Sequence, residues 1–381
     1  MHHRPTPSDA PVVTDAPETE GIKYAGSKLK LVPYILSLLK DLELRTVLDG
    51  FAGTTRVAQA FAKQGYQVYS NDISDWSFIF GLCYLKNKKE PATYQELIDH
   101  LNAVPGYDGW FTEHYGGVDR NGLAIQDDGQ KRLWQVHNTR KLDGIRDEIE
   151  RLALDPIERS VALTSLILAL DSVDNTMGHF SSYLRRWSAR SYQQMHLQVP
   201  KTFINQKDHH VLKGDIFEHL PHLSVDFAYF DPPYGSNNEK MPPSRVRYAS
   251  YYHVWTTICR HDRPETFGAA ARRKDSSDYT ATSIFEEYRR AADGRFIAVS
   301  AIDQLIQKVQ ARYVALSYSS GGKATAAELD RILNTHGKLI KTLEIDYKRN
   351  VMSGMRWTHD WVNDAENPNR EFIFLIEKQN V

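Results

Sequence analysis

Thr46-Val-Leu-Asp49, Gly50-Phe-Ala-Gly-Thr-Thr55, Val57-Ala-Gln-Ala-Phe-Ala62 and Tyr66-Gln-Val-Tyr-Ser-Asn-Asp72 follow one another almost without spacers. The first is a short apolar run and the second a glycine turn. The third is a helical segment that Gly65 can end, and the fourth alternates as a strand and closes on an acid. Strand, glycine turn, helix and strand make one βαβ unit, the opening of a doubly wound α/β sheet whose ligands sit beyond the carboxyl ends of the strands. On the amino-terminal side, the small-residue loop Gly21 to Lys30 feeds a helix with Leu31, Ile35, Leu36, Leu38, Leu39 and Leu42 on one face. On the carboxyl side, apolar runs suited to strands covered on both faces return at His210–Lys213, Val225–Phe230, Tyr313–Tyr318, Lys341–Ile345 and Glu371–Ile376. Between the two halves the pattern is helical, over Tyr94–Leu101, Arg140–Leu154 and Ile157–Leu170, with a loop-rich stretch from Pro105 to Asn138.

The spacing predicts a disordered tail over residues 1–20, which hold four prolines and four acids, and a first core part over 21–84. A mostly helical insertion is expected over 85–205 and a second core part over 206–381, with a basic loop at 236–283. The chain has 381 residues, 41% hydrophobic and 25% charged, which excludes both a disulfide-stapled miniprotein and a disordered chain. The longest apolar run, Val161–Leu170, is about half of what a bilayer crossing needs and reads as a buried helix. Two cysteines, Cys83 and Cys259, form no metal-binding pattern, so no metal is expected and a reducing cytoplasm fits.

Directly after Val225–Phe230 stands Asp231-Pro-Pro-Tyr234. Two prolines fix φ and hold Asp231 extended, so a carboxylate, a carbonyl and a ring share one rigid turn at a strand's carboxyl end. This motif resembles the catalytic tetrapeptide of amino-group DNA methyltransferases, and the layout is similar to the DNA adenine methylase family. Tyr24-Ala-Gly-Ser-Lys28 resembles that family's cofactor loop, Asp49-Gly-Phe-Ala-Gly53 its first glycine motif, Asp72 its second-strand acid, and Gly214-Asp-Ile-Phe217 its later acid-bearing turn. Val314–Ser320, Asp346–Arg349 and Arg370–Glu377 look like its closing strands and the loop between.

The resemblance implies a Rossmann-like fold with a mixed, mostly parallel seven-stranded sheet and S-adenosylmethionine as cofactor. It places Tyr24, Gly26, Lys28, Asp49, Phe51, Gly53, Asp72, Asp215 and Asp231 at the cofactor, with Asp72 on the ribose, Asp215 near the adenine moiety and Lys28 on the methionine carboxylate. It places Asp231, Pro232, Pro233 and Tyr234 at a flipped adenine. The family pattern commonly ends the first loop with glycine, where Thr55 stands here; Thr55 is expected to cap the next helix.

Net charge is −1, with 47 Lys and Arg against 48 Asp and Glu, so DNA must meet a local basic face. Eight basic residues against three acids between Glu239 and Lys274 suggest one, including Arg245, Arg247, Arg272 and Arg273. Arg185, Arg186 and Arg190 suggest another, and Lys348 and Arg349 are further candidates. Arg120, Asn121 and Gln126 are candidate base readers. The expected activity is sequence-specific N6 methylation of adenine in double-stranded DNA, of restriction-modification or phage type. A cognate restriction endonuclease is a possible partner, and the chain is expected to be monomer or dimer with no membrane association. Alternatives are an N4-cytosine methyltransferase, a non-catalytic DNA-binding protein on the same scaffold and, last, a methylase of RNA or protein amides.

Overall fold

The computed structural model describes residues 16–234, 248–277, 283–319, 321–346 and 370–378. Seven strands form one sheet: β1 (Thr46–Asp49), β2 (Gln67–Asp72), β3 (His210–Lys213), β4 (Ser224–Phe230), β5 (Gln310–Ser319), β6 (Gly337–Asp346) and β7 (Arg370–Lys378). Their order is β6-β7-β5-β4-β1-β2-β3. The five strands from β5 to β3 run parallel, whereas β7 is antiparallel to both of its neighbours. This is the mixed, mostly parallel sheet of a Rossmann-like methyltransferase fold.

The chemistry of the runs explains the arrangement. Val47, Leu48, Phe227, Ala228, Val314 and Ala315 are fully buried because helices cover both faces of the central strands. One layer sets Leu31, Val32, Ile35 and Phe61 against β1 and β4, and the other sets Val299, Ile302, Leu305 and Ile306 against β4 and β5. The sheet reverses direction of progress at β1 and β4, and this switch point is where a ligand crevice is expected. No helix among the described residues is long and apolar enough to cross a membrane.

The insertion after β2 is helical, with helices at Gln95–Ala103, Trp110–Tyr115, Val136–Arg151 and Pro156–Ser172. The last is buried along most of its length and starts at Asp155, whose side chain accepts from the amides of Ile157 and Glu158. Residues 248–277, grouped by sequence with the second core part, pack instead with these helices. Trp255 meets Phe180 and Trp134, and buried Arg146 donates to the Ile258 carbonyl at 2.6 Å. Apolar periodicity reads a helix's buried face but not its partner, so this grouping was invisible in the sequence. The tail boundary also moves. Thr19 is buried, its carbonyl accepts from Arg56, and the Glu20 carboxylate accepts from Tyr84 and the Lys201 amide, so residues 18–20 belong to the body.

Candidate active site

Beyond the carboxyl ends of β1, β2 and β4 lies a cavity of about 460 Å³, within the usual size of a small-molecule site. Tyr24, Gly26, Lys28, Asp49, Phe51, Gly53, Asp72, Asp215, Asp231, Pro232, Pro233 and Tyr234 all line it. Every residue that the motifs point to for cofactor and catalysis therefore faces one space, although the sequence spreads them over some two hundred positions.

The glycine turn after β1 is tied down by β2 and β4. The Gly50 amide donates to the Tyr229 carbonyl at 3.0 Å, and the Ala52 amide donates to the Asn71 carbonyl at 2.9 Å. The Gly53 amide donates to Asp72 Oδ2 at 2.8 Å, while Asp72 Oδ1 accepts from the Ser74 amide. Burial raises the Asp72 pKa and these amide bonds restrain the rise. Asp215 caps the short helix Ile216–His219 through the Phe217 amide and also faces the cavity.

Thr55 departs from expectation. It does not cap the next helix; its backbone is left-handed at φ 60°, the conformation that glycine would supply, and its buried hydroxyl instead accepts from Gln59 Nε2 at 3.0 Å. A side chain in this region costs about 1–2 kcal/mol, so packing and the Gln59 bond hold the turn where glycine would hold it alone.

Asp49 is 1% exposed, and neither carboxylate oxygen makes a hydrogen bond of good geometry, although the Phe51 and Ala58 amides come near enough to favour its ionised form. Burial, followed by the nearby charges of Asp231 and Asp72, raises its pKa to about 8. Asn71 Oδ1, another group lining the cavity, is buried and unpartnered. Such poorly partnered polar atoms at a cavity wall are the mark of a place completed by a polar ligand.

The catalytic corner is more crowded than the sequence suggests. Lys28 Nζ lies 3.0 Å from Asp231 Oδ1, 2.7 Å from Glu371 Oε1 and 2.9 Å from the Tyr234 hydroxyl. Tyr234 in turn donates toward Asp231 and toward Glu371 Oε1, the latter at 2.6 Å. Its ring leans on Tyr318, with centroids 4.8 Å apart. Burial opposes the charge of Lys28, but Asp231 and Glu371 more than offset it and raise its pKa. Burial raises the Asp231 pKa above the ordinary carboxylate range despite the opposing pull of Lys28.

Sequence reasoning gave Lys28 to the methionine carboxylate and missed Glu371. The one signal was an acid heading an otherwise apolar strand, which is equally the sign of a solvent-facing strand end. An aromatic wall was missed as well. Tyr24 stacks on Tyr252 at 4.7 Å and meets Trp76 and Tyr248, and the Tyr252 hydroxyl accepts from the Ala25 amide at 2.7 Å. Phe285 packs edge-on against Phe51 at 5.1 Å.

The proposed DNA contacts divide. Arg273 is buried, donates to both Asp262 and Asp275, and is not free for phosphate. Arg260 pairs with Asp75 and Lys274 with Glu265, and Arg272 lies over the Phe267 ring. Asp262 and Glu265 belong to the counted stretch and Asp275 directly follows it, whereas Asp75 is brought in by a distant segment. Arg190 is likewise bound to Asp174 and to the Thr176 carbonyl, and Gln126 is held by Val118 and Ala124. Arg185 and Arg186 are exposed, beside a turn at Asn121-Gly122 that carries Arg120. Arg245, Arg247, Lys348 and Arg349 lie outside the described residues.

A family model described as the D12 class N6 adenine-specific DNA methyltransferase matches residues 24–315. The chain belongs to this family. Relatives of this chain include the modification methylase StsI of Streptococcus sanguinis, 29% identical over 82% of this chain and 46% of its own length. The modification methylase LlaI of Lactococcus lactis subsp. lactis is 28% identical over 75% of this chain and 47% of its own length. The type II methyltransferase M.NlaIII of Neisseria lactamica is 23% identical over 94% and 99% respectively. The D12-class chain thus spans about half the length of the first two relatives and nearly all of the third.

Proposed function

We propose that this chain methylates N6 of adenine at a specific sequence in double-stranded DNA, with S-adenosylmethionine as donor, as the modification partner of a restriction endonuclease. The observation that carries this reading is the convergence of Asp231-Pro-Pro-Tyr234 with Lys28, Asp49 and Asp72 on one cavity. The poorly partnered oxygens of Asp49 and Asn71 fit a polar ligand that donates hydrogen bonds there. Tyr24, Gly26, Asp49, Phe51, Gly53, Asp72 and Asp215 would hold the cofactor, Asp72 at the ribose. Bound there, S-adenosylmethionine supplies an electrophilic sulfonium methyl.

The residues of this chain have a separate task. The lone pair of an exocyclic purine amine is delocalised into the ring and is a poor nucleophile. Asp231 and the Pro232 carbonyl accept N–H bonds from that amine and localise the lone pair, and Asp231 can then hold the proton that leaves nitrogen. No histidine base is needed. The alignment itself can be worth roughly 7–11 kcal/mol in well-oriented systems. A base inside a duplex is out of reach, so it must be extruded, and Tyr234 offers a ring to stack on it. Phosphate contacts fall to Arg185 and Arg186 with Arg245, Arg247, Lys348 and Arg349, while Arg272 stays a weaker candidate. Two buried free thiols, Cys83 and Cys259, suit the reducing cytoplasm.

Modification-sensitive sequencing of DNA from cells expressing the chain tests the reading and reports base and context together. Methyl groups on adenine N6 at one motif are expected. Methylation of cytosine, or none from a folded protein that binds DNA, would select the N4-cytosine or the non-catalytic alternative.

A further inference from the structure

Glu371 lies on β7, beyond residues 24–315 that the family model matches, yet its carboxylate is in the catalytic corner and 8% exposed. An ammonium has three N–H donors and no acceptor, so Asp231, Glu371 and the Tyr234 oxygen use all three donors of Lys28. The Tyr234 hydroxyl has one proton and two carboxylates within reach. The corner therefore holds one cation, two carboxylates and a single shared hydroxyl proton. Asp231 Oδ1 takes bonds from both Lys28 and Tyr234.

Both of these donors sit on Oδ1, and a target amine arriving at Oδ2 competes with them for the charge of the same carboxylate. We infer that Glu371 is a positioning residue: it keeps Lys28 and the Tyr234 hydroxyl when the target amine takes Asp231. This rests on the reading of Asp231 as the acceptor for that amine. A buried ammonium without a carboxylate is costly, so with Asp231 as its sole partner Lys28 would stay on it. Glu371, nearer to Lys28 than Asp231 is, gives the lysine a full countercharge in either arrangement. The groups that act electrostatically with Asp231 are Lys28 and Tyr24 from the amino-terminal loop, Asp49 from β1, Tyr229 and Tyr234 from β4 and its turn, Tyr248 from the helix Tyr248–Tyr251, and Glu371 from β7. Lys28 is the one cation in that set, and Glu371 is the carboxylate that competes for it.

The test is single-turnover methyl transfer on DNA carrying the mapped motif, followed from about pH 5 to pH 9 for wild type, Glu371→Gln and Glu371→Asp. Dissociation constants for cofactor and DNA are measured alongside. Glu371→Gln is expected to slow transfer about tenfold or more while both dissociation constants stay within about threefold. Its acid limb should move to lower pH, because the negative neighbour that disfavours ionised Asp231 is gone. Glu371→Asp should restore part of the rate. An unmoved acid limb, or parallel loss of cofactor binding and transfer in both variants, refutes the role. Asp231→Asn run beside them separates the two ideas. Transfer retained there overturns the amine-acceptor reading itself, whereas transfer lost there with an unmoved limb in Glu371→Gln overturns only the role of Glu371.

Discussion

Replacing Gly50 with alanine adds one methyl group at a tightly packed point directly behind the site. The new Cβ would stand 2.5 Å from Phe230 Cδ1 and 2.6 Å from Cε1, whereas ordinary contact begins at 3.4 Å. The ring must therefore retreat by about 0.9 Å, the difference between 3.4 and 2.5 Å. It has little room: Phe230 is fully buried and packs against Phe51, which is backed by Phe285. Gly50 is not among the residues with positive φ, so alanine can adopt its backbone and the cost is steric. Overpacking of this kind costs about 1–3 kcal/mol, offset by roughly 0.4–1 kcal/mol from a stiffer unfolded chain. Phe230 immediately precedes Asp231, and misplacement of a reacting geometry by about 1 Å can cost on the order of 100-fold in rate.

Urea denaturation should thus show Gly50→Ala destabilised by about 1–2 kcal/mol, and single-turnover transfer should fall far more than stability requires. Gly65→Ala is the control. Its φ is +87° and nothing lies within 4 Å of the added methyl, so it should lose stability and keep its rate. Adding Phe230→Leu to Gly50→Ala should make the double variant more stable than the two single losses sum to. Wild-type transfer in Gly50→Ala, or simple additivity with Phe230→Leu, would refute the steric account.

Asp231→Asn should lower the transfer rate by about 100- to 1,000-fold, while isothermal titration finds cofactor affinity within a few-fold. Asp49 binds its proton more tightly folded, at about 8, than unfolded, near 3.8, so stability falls as pH rises between these values. Asp49→Asn should therefore gain over wild type in urea melts by on the order of 1 kcal/mol per pH unit toward pH 8, and a constant difference would show that the carboxyl is not held neutral. Tyr234→Ala should weaken capture of an extruded base by about 1–3 kcal/mol, with Tyr234→Phe keeping most of it in a DNA-binding assay. Arg185→Ala and Arg186→Ala should each reduce the salt dependence of DNA binding by about 0.9 in logarithmic slope if each meets one phosphate. Arg273→Ala should lower the melting temperature and leave that slope unchanged.

The parts of the fold that could be read in advance are those in which one segment carries its own evidence. The βαβ opening, the apolar strands and the Asp231 turn each combine a hydrophobic period with glycine or proline at a fixed place, so local chemistry determines them. Asp49, Asp72 and Asp231 could be drawn to one cavity because strand carboxyl ends share an edge, whereas Lys28, on the loop before the first helix, was placed there by the resemblance alone. What escaped depends on partners far off in the chain. Asp75 takes Arg260 from 185 positions away, and residues 248–277 join the helical layer through Trp255 and Ile258. Thr55 shows the reverse limit: a residue suited to a helix cap took the left-handed turn because the tightly bonded loop around it left no other path.

The two-sided antiparallel pairing of β7 makes Glu371 hostage to alignment. It sits opposite Ser319 on one side and Ile345 on the other, with Ile373 and Leu375 buried along the same strand. Side chains alternate between faces, so slipping this strand by a single step would swing the acid to the opposite side of the sheet and put Phe372 in its place. One extra residue between Glu371 and the buried Ile373 would unpair Lys28 from 343 positions away.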